Sequence, residues 1–345
     1  MFMATPTRRE VKEQLIRLAR DHQQGLPVGQ VKDSVGSYLS TWLLAAQPTI
    51  RPSTFISYQT IVRLHLTPTL GAIALDKLKP ADVRVLMTRE LAAGLSARSV
   101  QYHHAVLRRA LGQAVQDGLL ARNVATLAKP PRVKRAEVRP LTPDQARTFL
   151  MAVGGDPLEA LYVTALGTGL RLGELLGLRW SDVDLSTSTL SVHQAFDSRT
   201  RTLTEPKSER SRRTIALPSI AVGALQEHRR RQLEVRIWAG SHWQGEQYGL
   251  VFTTKTGTPL DAGNLTRRFH RILAGAALPR IRFHDLRHSA ATFLLAQGVS
   301  PRVVMETLGH SQISLTMNTY AHVLPAMQRD AAERMDALLM GQSKA

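Results

Sequence analysis

The proline-rich, basic segment KPPRVKRAEVRPL at residues 129–141 divides the chain into two parts that are expected to fold separately. It combines three prolines with five basic residues and has no hydrophobic periodicity, a composition typical of an extended connection. A chain of 345 residues is also longer than one ordinary core requires and has room for two. The sequence therefore predicts two domains joined by a linker at 129–141.

The part before the linker has a helical pattern almost throughout. Residues 1–30 carry apolar residues at helical spacing and predict a short helical arm. Residues 31–128 predict a compact domain of several helices. In its last helix Ser96 is a candidate N-cap and Gly118 a candidate stop.

The charge of the chain indicates a polyanionic partner. Lys and Arg number 45 against 27 Asp and Glu, which gives a net charge of +18, and most of this excess precedes residue 140. Such an excess favours nucleic acid, because binding releases the counterions of the phosphates. The linker is then either a solvated surface loop or a basic strap along a phosphate backbone. The candidate contact residues are Arg98, Gln101, Arg108, Arg109, Lys129, Arg132, Lys134 and Arg135.

The part after the linker combines helices with short β-type segments. Thr142 is a candidate N-cap and Pro143 a candidate first helical residue. Three strand-like segments follow, separated by polar turns: residues 185–195, 201–206 and 212–218. We expect residues 142–324 to form a domain that is mainly α with a small β-sheet (α+β). Residues 325–345 predict an amphipathic C-terminal helix.

Two absences narrow the classes of protein. The chain contains no cysteine, which excludes disulfides, thiolate metal sites and cysteine nucleophiles. No apolar run approaches the roughly 18 residues that a membrane span needs, and the N-terminal residues lack the apolar segment of a secretory signal. We therefore expect a cytoplasmic protein with no membrane partner.

Arg171 and Lys207 are the first candidate site residues. Arg171 lies in the apolar stretch TGLRLGELLGLRW, and Glu174 follows three residues later on the same helical face. A buried arginine needs a partner, so the two residues form either a structural ion pair or part of a functional site. Lys207 is predicted to lie in a turn between two strands, where a lysine is ordinarily solvated.

The segment HDLR at residues 284–287 supplies a second group of candidates. His284 and Arg287 are three residues apart at a predicted helix start, so both side chains can point the same way. His288 lies four residues after His284, which raises the alternative of a metal pair. Asp285 stands where the zinc-protease pattern has Glu, and no third ligand is obvious. We therefore expect no metal here.

The last candidates lie near the C-terminus, in LGHSQISLTMNTYAHV. A helix predicted to begin at Ser300 ends at Gly309, which leaves His310 just beyond a helix terminus. Tyr320 follows ten residues later. A tyrosine in a helix ordinarily fills the core with its hydroxyl hydrogen-bonded, but it can also be a nucleophile.

Taken in order, these segments closely resemble the tyrosine recombinase family of phage-type integrases. The resemblance covers residues 31–345, in which a helical core-binding domain would precede a mixed catalytic domain. It rests on five pieces in sequence order: Arg171 in TGLRLGELLGLRW, Lys207 between strands, HDLR at 284–287, LGH at 308–310 and Tyr320 ten residues on.

The resemblance implies a site-specific DNA recombinase that needs no cofactor. The tyrosine would attack a DNA phosphodiester and form a 3′-phosphotyrosine bond, which stores the energy of the broken bond. Donors fixed in the site would then meet the negative charge of the transition state. Carried over residue by residue, the family's roles make Tyr320 the nucleophile, Arg171, Arg287 and His310 the phosphate donors, Lys207 the acid for the leaving 5′-oxygen, His284 the aid to proton transfer at the tyrosine, and Glu174 the support of Arg171.

The resemblance also implies partners and leaves rivals open. The expected complex is a homotetramer on two double-stranded DNA attachment sites, in the nucleoid of a bacterial host, with accessory DNA-bending or directionality proteins as further candidates. Many such integrases begin with a small three-stranded arm-binding domain, whereas residues 1–30 predict a helix, so we expect that domain to be either reduced or missing here. The rivals are a type IB topoisomerase, a regulatory DNA-binding protein and an RNA-binding protein.

Overall fold

The structure is a computed structural model in which the chain divides into two compact units, residues 1–136 and 137–345. The dividing point falls inside the segment 129–141. The residues that the structure describes are 7–9, 11–12, 33–133, 140–205, 212–309, 332, 335–336 and 339–340.

The first unit is built from helices, and the caps predicted for its last helix are confirmed. Ser96 Oγ accepts a hydrogen bond from the Ser99 amide at 3.1 Å, and Gly118 follows the helix end with φ +73°. The helices of the first unit are α1 (Val35–Ala46), α2 (Pro52–Ile61), α3 (Thr67–Leu70), α4 (Pro80–Ala92) and α5 (Ala97–Gln116).

One break interrupts a region that the sequence presents as a continuous helix. Between α2 and α3 the chain forms a π-helix over Val62–Leu66. A π turn carries one more residue per hydrogen-bonded ring than an α turn, so it shifts the side chains that follow around the helix axis. The break therefore changes which side chains of residues 62–66 face the interior.

One side of α5 joins the core of this unit. Val100, His104, Leu107 and Leu111 are all buried. His104 satisfies its ring by a 2.8 Å hydrogen bond to the carbonyl oxygen of Ala125. The candidate contact residues Arg98, Arg108 and Arg109 of the same helix are exposed.

The second unit is mainly helical with short strands, as the sequence predicts. Thr142 caps its first helix by accepting from the Gln145 amide at 3.2 Å. Its helices are α6 (Pro143–Val153), α7 (Glu159–Thr168), α8 (Leu172–Leu176), α9 (Ser219–Ala239), α10 (Ala262–Gly275), α11 (Asp285–Ala296) and α12 (Pro301–Leu308). Its strands are β1 (Val183–Asp184), β2 (Thr189–Val192), β3 (Ala195–Asp197), β4 (Thr202–Thr204) and β5 (Arg213–Ala216).

Among the described residues the strands form a small three-stranded antiparallel sheet, which confirms the predicted small β-sheet, and a separate antiparallel pair. One sheet has the order β1-β2-β5, and the other is the pair β3-β4. In the first sheet Leu190 pairs with Ile215, and both side chains are buried in the core of this unit. The chain reaches β5 from β4 across residues 205–212, the connection in which Lys207 lies.

The end of the second unit is anchored by a small apolar cluster. Ala291 and Leu295 of α11 pack with Val304 and Leu308 of α12, and all four are buried. Ser300 caps α12 by accepting from the Val303 amide at 3.3 Å, which confirms the predicted helix start. Packing of α12 on α11 therefore fixes the position of the α12 C-terminus.

The terminal predictions lie mostly outside the described residues. Residues 8–9 and 11–12 of the predicted arm are helical, as are residues 332, 335, 336 and 339 of the predicted C-terminal helix. In the described parts of the chain, no helix combines the length and the apolar character needed to cross a membrane.

Candidate active site

Arg171 is aimed by the short helix that begins after it. Its backbone is extended (φ −71°, ψ 151°), and Arg171 is the N-cap of α8. The helix therefore begins one residue after Arg171, whereas the sequence placed Arg171 and Glu174 on the face of one helix. Glu174 reaches back and accepts from the Arg171 amide at 2.9 Å and from Arg171 Nη1 at 2.6 Å. The side chain of Arg171 is 38% exposed, whereas that of Glu174 is 6% exposed. The predicted pair is confirmed, with the carboxylate rather than the arginine as its buried member.

A second arginine, Arg213 of β5, holds the other side of Glu174. Arg213 Nη2 donates to Glu174 Oε2 at 2.9 Å. Burial raises the pKa of Glu174, but the hydrogen bond and charge of Arg213, together with Arg171, outweigh it and hold the pKa below its ordinary value. Glu174 is therefore ionised at neutral pH and carries two guanidinium partners.

Sequence reasoning missed Arg213, although the strand pattern contains its signal. Side chains alternate between the two faces of a strand, and in β5 Ile215 is buried while Thr214 and Ala216 are exposed. Arg213 shares the inward face with Ile215. A basic residue at an inward strand position needs a buried acid, and Glu174 is that acid.

The C-terminus of α12 gathers three arginines from separate elements. The last carbonyl oxygens of a helix have no partner within the helix and carry partial negative charge. Three successive carbonyl oxygens accept one arginine each: Thr307 from Arg213 Nε (2.7 Å), Leu308 from Arg287 Nη2 (2.6 Å) and Gly309 from Arg171 Nη2 (3.1 Å). The site is thus assembled at the peptides that lead directly into His310.

Gly309 is required by the geometry of this helix end. Its φ of +67° lies in the left-handed region, which side chains with a Cβ disfavour. A Cβ placed on Gly309 would lie 2.9 Å from Arg213 Nη1. Any other residue would strain the turn and displace Arg213.

Arg287 is enclosed where Arg171 is accessible. It lies in the first turn of α11, is 2% exposed, and donates from Nη1 to the carbonyl oxygen of Gly169 at 2.8 Å. Gly169 ends α7 with φ +67°. Arg287 therefore ties the end of α7 to the end of α12, and Arg171 is the member of the pair that a ligand reaches directly.

His284 precedes Arg287 at the start of α11 and is neutral at physiological pH. Burial lowers its pKa to about 4, and electrostatic interactions with His288, Arg287 and Arg171 contribute in the same direction. Its ring packs edge-on against that of His288, with centroids 5.1 Å apart. A neutral imidazole here can accept a proton.

Three of the predicted catalytic residues lie outside the described residues: Lys207, His310 and Tyr320. Their described neighbours are nonetheless informative. The strands predicted on either side of Lys207 are present as β4 and β5. Gly309, which accepts from Arg171, is bonded directly to His310.

The first unit contains an open groove of about 800 Å³ lined by basic and polar side chains. Arg98 is held by Gln101 through a 2.9 Å hydrogen bond, and Arg109 lies over the ring of Tyr58, 5.9 Å from its centroid. Arg132 is exposed but does not line the groove, while Lys134 and Arg135 lie outside the described residues. The groove brings together five of the predicted contact residues: Arg98, Gln101, Arg108, Arg109 and Lys129.

Comparison with known proteins places the chain in a family. Residues 139–327 match the phage integrase family, and residues 34–89 match the phage integrase N-terminal SAM-like domain. A tyrosine recombinase XerC-like protein of Caldanaerobacter subterraneus is 31% identical over 97% of this chain and 90% of its own length. An integrase of Streptomyces ambofaciens is 33% identical over 96% of this chain and 87% of its own length.

Solved structures with the same fold include two integrases bound to DNA. The Tn1549 transposon integrase with a circular intermediate DNA has a TM-score of 0.74 at 24% identity, covering 88% of this chain and 99% of its own. A lambda integrase tetramer bound to a Holliday junction has a TM-score of 0.64 at 19% identity, covering 92% and 88%. By its sequence over both units, the chain belongs to the phage integrase family of tyrosine recombinases.

Proposed function

We propose a catalytic path for this site-specific tyrosine recombinase in which Tyr320 is the nucleophile. Its hydroxyl oxygen attacks a DNA phosphodiester, the bond to the 5′-oxygen breaks, and a 3′-phosphotyrosine bond forms. The free 5′-hydroxyl of a partner strand then reverses the step and rejoins the DNA. In this way the protein integrates or excises a mobile element, and the DNA itself carries the bond energy throughout.

The observation that carries this proposal is the convergence of Arg171, Arg213 and Arg287 on the end of α12. Phosphoryl transfer places negative charge on the nonbridging oxygens, and fixed donors stabilise it most when they need no rearrangement. Arg171 is accessible and offers a planar fork to phosphate. Arg287 lies enclosed behind it, where it adds positive charge and fixes the peptides before His310. His310 is the further donor to the phosphate.

Two groups move the protons. His284 is neutral at pH 7 because of its lowered pKa, so it can accept the proton that leaves the Tyr320 hydroxyl. Lys207 gives a proton to the departing 5′-oxygen, which is a poor leaving group as an alkoxide. The proton taken at one side of the phosphate is thus matched by one supplied at the other.

DNA binding in the proposal begins at the groove of the first unit. Its basic side chains contact the phosphates of a double-stranded attachment site, and the segment 129–141 lies along the backbone as a strap. The structure of the Tn1549 integrase in complex with DNA and that of the lambda integrase tetramer bound to a Holliday junction support a tetramer acting on two duplexes. We place this complex at the bacterial nucleoid, with DNA-bending or directionality proteins as candidate accessory partners.

The function is tested with two plasmids that carry the attachment sites, obtained by sequencing both chromosomal junctions of the encoding element. Full-length protein is expected to yield joined plasmids with exchanged flanks. Relaxed plasmids without joined product would instead favour the type IB topoisomerase-like alternative. Sequence-specific binding without any cleavage would favour a regulatory DNA-binding protein.

Lys207→Ala is expected to cleave ordinary DNA slowly and to recover most of its rate on a substrate whose 5′-bridging oxygen is sulfur. A thiolate departs without a proton, so the acid is no longer needed. The rates are measured as single-turnover adduct formation on both substrates. Equal defects on the two substrates would show that Lys207 binds the phosphate and that another group is the acid.

In Arg213→Met, the fall of the cleavage rate toward low pH is expected to begin at a higher pH than in the wild-type protein. Arg213 and Arg171 hold the pKa of Glu174 below its ordinary value against burial. Without Arg213, burial dominates, the pKa rises, and Glu174 becomes protonated as the pH falls, so that Arg171 loses its anchor. The measurement is single-turnover cleavage between about pH 4.5 and 8.

The matched control is Arg212→Met, which removes the same charge from the neighbouring residue. Arg212 is 55% exposed and pairs at 3.4 Å with the exposed Glu205, so its loss leaves Glu174 untouched. Identical pH profiles for the two variants would show that Arg213 does not position Arg171.

Deletion of residues 326–345 is expected to leave binding to a single attachment site intact and to prevent the two-duplex complex. An amphipathic helix buries its apolar face. We propose that the C-terminal helix packs this face on a neighbouring subunit, so that the four subunits of the tetramer are joined head to tail in a ring. Met335 and Leu339 are 55% and 76% exposed, so replacing both with Glu should act like the deletion. Asp336→Asn, an exposed polar change between them, is the control.

Mass photometry on attachment-site DNA measures this prediction. Tetramers at normal yield from the truncated protein would contradict it. Loss of single-site binding would contradict it as well, since the tail would then belong to its own catalytic domain.

A further inference from the structure

Three ligand-type side chains meet inside the first unit, whereas the proposed catalytic residues all belong to the second. His65 comes from the π-helix, Glu90 from α4 and His103 from α5. Glu90 Oε1 lies 2.8 Å from His103 Nδ1 and 3.5 Å from His65 Nδ1. The two imidazole rings are tilted by 33° to each other, with centroids 4.1 Å apart. One nitrogen or oxygen of each residue lies within 4.8 Å of those of the other two.

The carboxylate of this cluster is buried and only partly satisfied. Glu90 is 6% exposed, and within the described residues its Oε2 has no hydrogen-bond partner. An unpaired buried carboxylate oxygen is costly, because nothing replaces the water that it has lost. The cluster holds an acceptor that a bound cation would satisfy.

The spacing of the three side chains suits a tetrahedral ion. Metal–ligand distances of roughly 2.0–2.1 Å separate two tetrahedral ligand atoms by roughly 3.3 Å. Glu90 Oε1 lies 2.8 Å from His103 Nδ1 and 3.5 Å from His65 Nδ1, on either side of that value. Small rotamer shifts would therefore bring these atoms to the spacing of metal ligands. Two imidazoles and one carboxylate are donors that zinc and its neighbours in the periodic table accept.

The backbone also marks this place as specialised. His65 is delivered by the π-helix Val62–Leu66, and single π turns are rare and concentrate at functional sites. An uninterrupted α-helix would place His65 at a different angle about the helix axis. The π turn is therefore what brings this imidazole to Glu90 and His103.

We propose that His65, Glu90 and His103 bind one divalent transition-metal ion of the Zn²⁺ class, with water at the fourth position. The ion ties the π-helix, α4 and α5 together. Because α5 also carries the groove residues Arg98 and Arg108, the ion stiffens the helix that presents them. This role is structural and is independent of the cleavage chemistry.

The test uses full-length protein freed of metal with a chelator and then titrated with Co²⁺, which reports tetrahedral binding by its visible absorption. The wild-type protein is expected to bind one equivalent of Co²⁺, and added Zn²⁺ should displace this Co²⁺. The variants His65→Ala and Glu90→Gln should each fail to bind it. His193→Ala is the control, because His193 is a largely exposed histidine of the second unit paired with Asp182. It should keep the equivalent.

A thermal readout checks that the ion acts on this unit. Saturating Zn²⁺ is expected to raise the melting temperature of the wild-type protein by roughly 5 °C, and to raise that of His65→Ala by much less. His65 is 28% exposed at its side chain, so this variant keeps the buried Glu90–His103 pair and its fold, which circular dichroism verifies. Equal Co²⁺ stoichiometry in wild-type and both variants, or no saturable binding by wild-type protein, would overturn the proposal.

Discussion

Tyr320→Phe is expected to abolish covalent attachment to DNA while leaving the affinity for duplex nearly unchanged. One hydroxyl contributes little among many phosphate contacts, but without it no phosphotyrosine can form. The protein is reacted with a nicked suicide duplex, and the covalent adduct is detected by denaturing gel electrophoresis. A gel-shift titration in parallel measures the affinity for the duplex. Tyr248→Phe, a half-buried tyrosine of the same unit, is the control and should cleave normally.

An adduct that survives in Tyr320→Phe would remove this tyrosine from the proposed path. A large loss of affinity in the variant would also contradict the account, because Tyr320 would then be a binding residue.

Arg171→Ala is expected to lower the single-turnover cleavage rate by roughly two to three orders of magnitude, the usual effect of removing one transition-state donor. Its side chain is 38% exposed, so the loss should fall on rate rather than on stability. Arg268→Ala is a matched control, since Arg268 is also 38% exposed and also pairs with a more buried carboxylate, that of Asp156. Near-normal cleavage by Arg171→Ala would make Arg171 a structural ion-pair partner.

Arg287→Ala is expected to show the same loss of rate together with a loss of stability. The buried guanidinium satisfies the carbonyl oxygens of Gly169 and Leu308, and each buried acceptor left unpaired costs about 1–3 kcal/mol. Chemical denaturation measures the second effect and separates the two arginines. Arg287→Ala protein that cleaves normally would show that its enclosed charge does not serve the reaction.

Local rules predicted the helix boundaries well. Ser96, Thr142 and Ser300 cap the helices that the sequence assigned to them, and Gly309 ends α12 as expected. These outcomes depend on side-chain hydrogen bonds within a few residues and on the left-handed φ that glycine allows. Such signals are present in the sequence itself.

The features that sequence reasoning missed depend on tertiary packing. Nothing in STFISYQTIVRLHL distinguishes a π turn from a continuous α-helix, because the break is stabilised by what residues 62–66 pack against. The sequence predicted the small sheet but not the separate β3-β4 pair, because pairing partners are not visible in a sequence. Here β5 pairs with β2, and β4 pairs with β3.

The sequence suggested residues for the candidate site but not how they are arranged. The order of Arg171, Lys207, HDLR, LGH and Tyr320 was enough to identify the family and to propose roles. Arg171 and Arg287 donate to the adjacent carbonyl oxygens of Gly309 and Leu308. The sequence does not show this, because the two arginines lie more than 100 positions apart along the chain. Arg213 was overlooked for the same reason, since its partner Glu174 lies 39 positions away along the chain.

The most direct test of the central claim is to identify the atom of the protein that becomes bonded to DNA. Wild-type protein is trapped on a nicked suicide duplex, digested with protease and nuclease, and the nucleotide-bearing peptide is sequenced by mass spectrometry. We expect a single peptide containing Tyr320, with the phosphate joined to the tyrosine oxygen and derived from a DNA 3′ end. A phosphate on any other residue, or attachment through a 5′-phosphate, would contradict it.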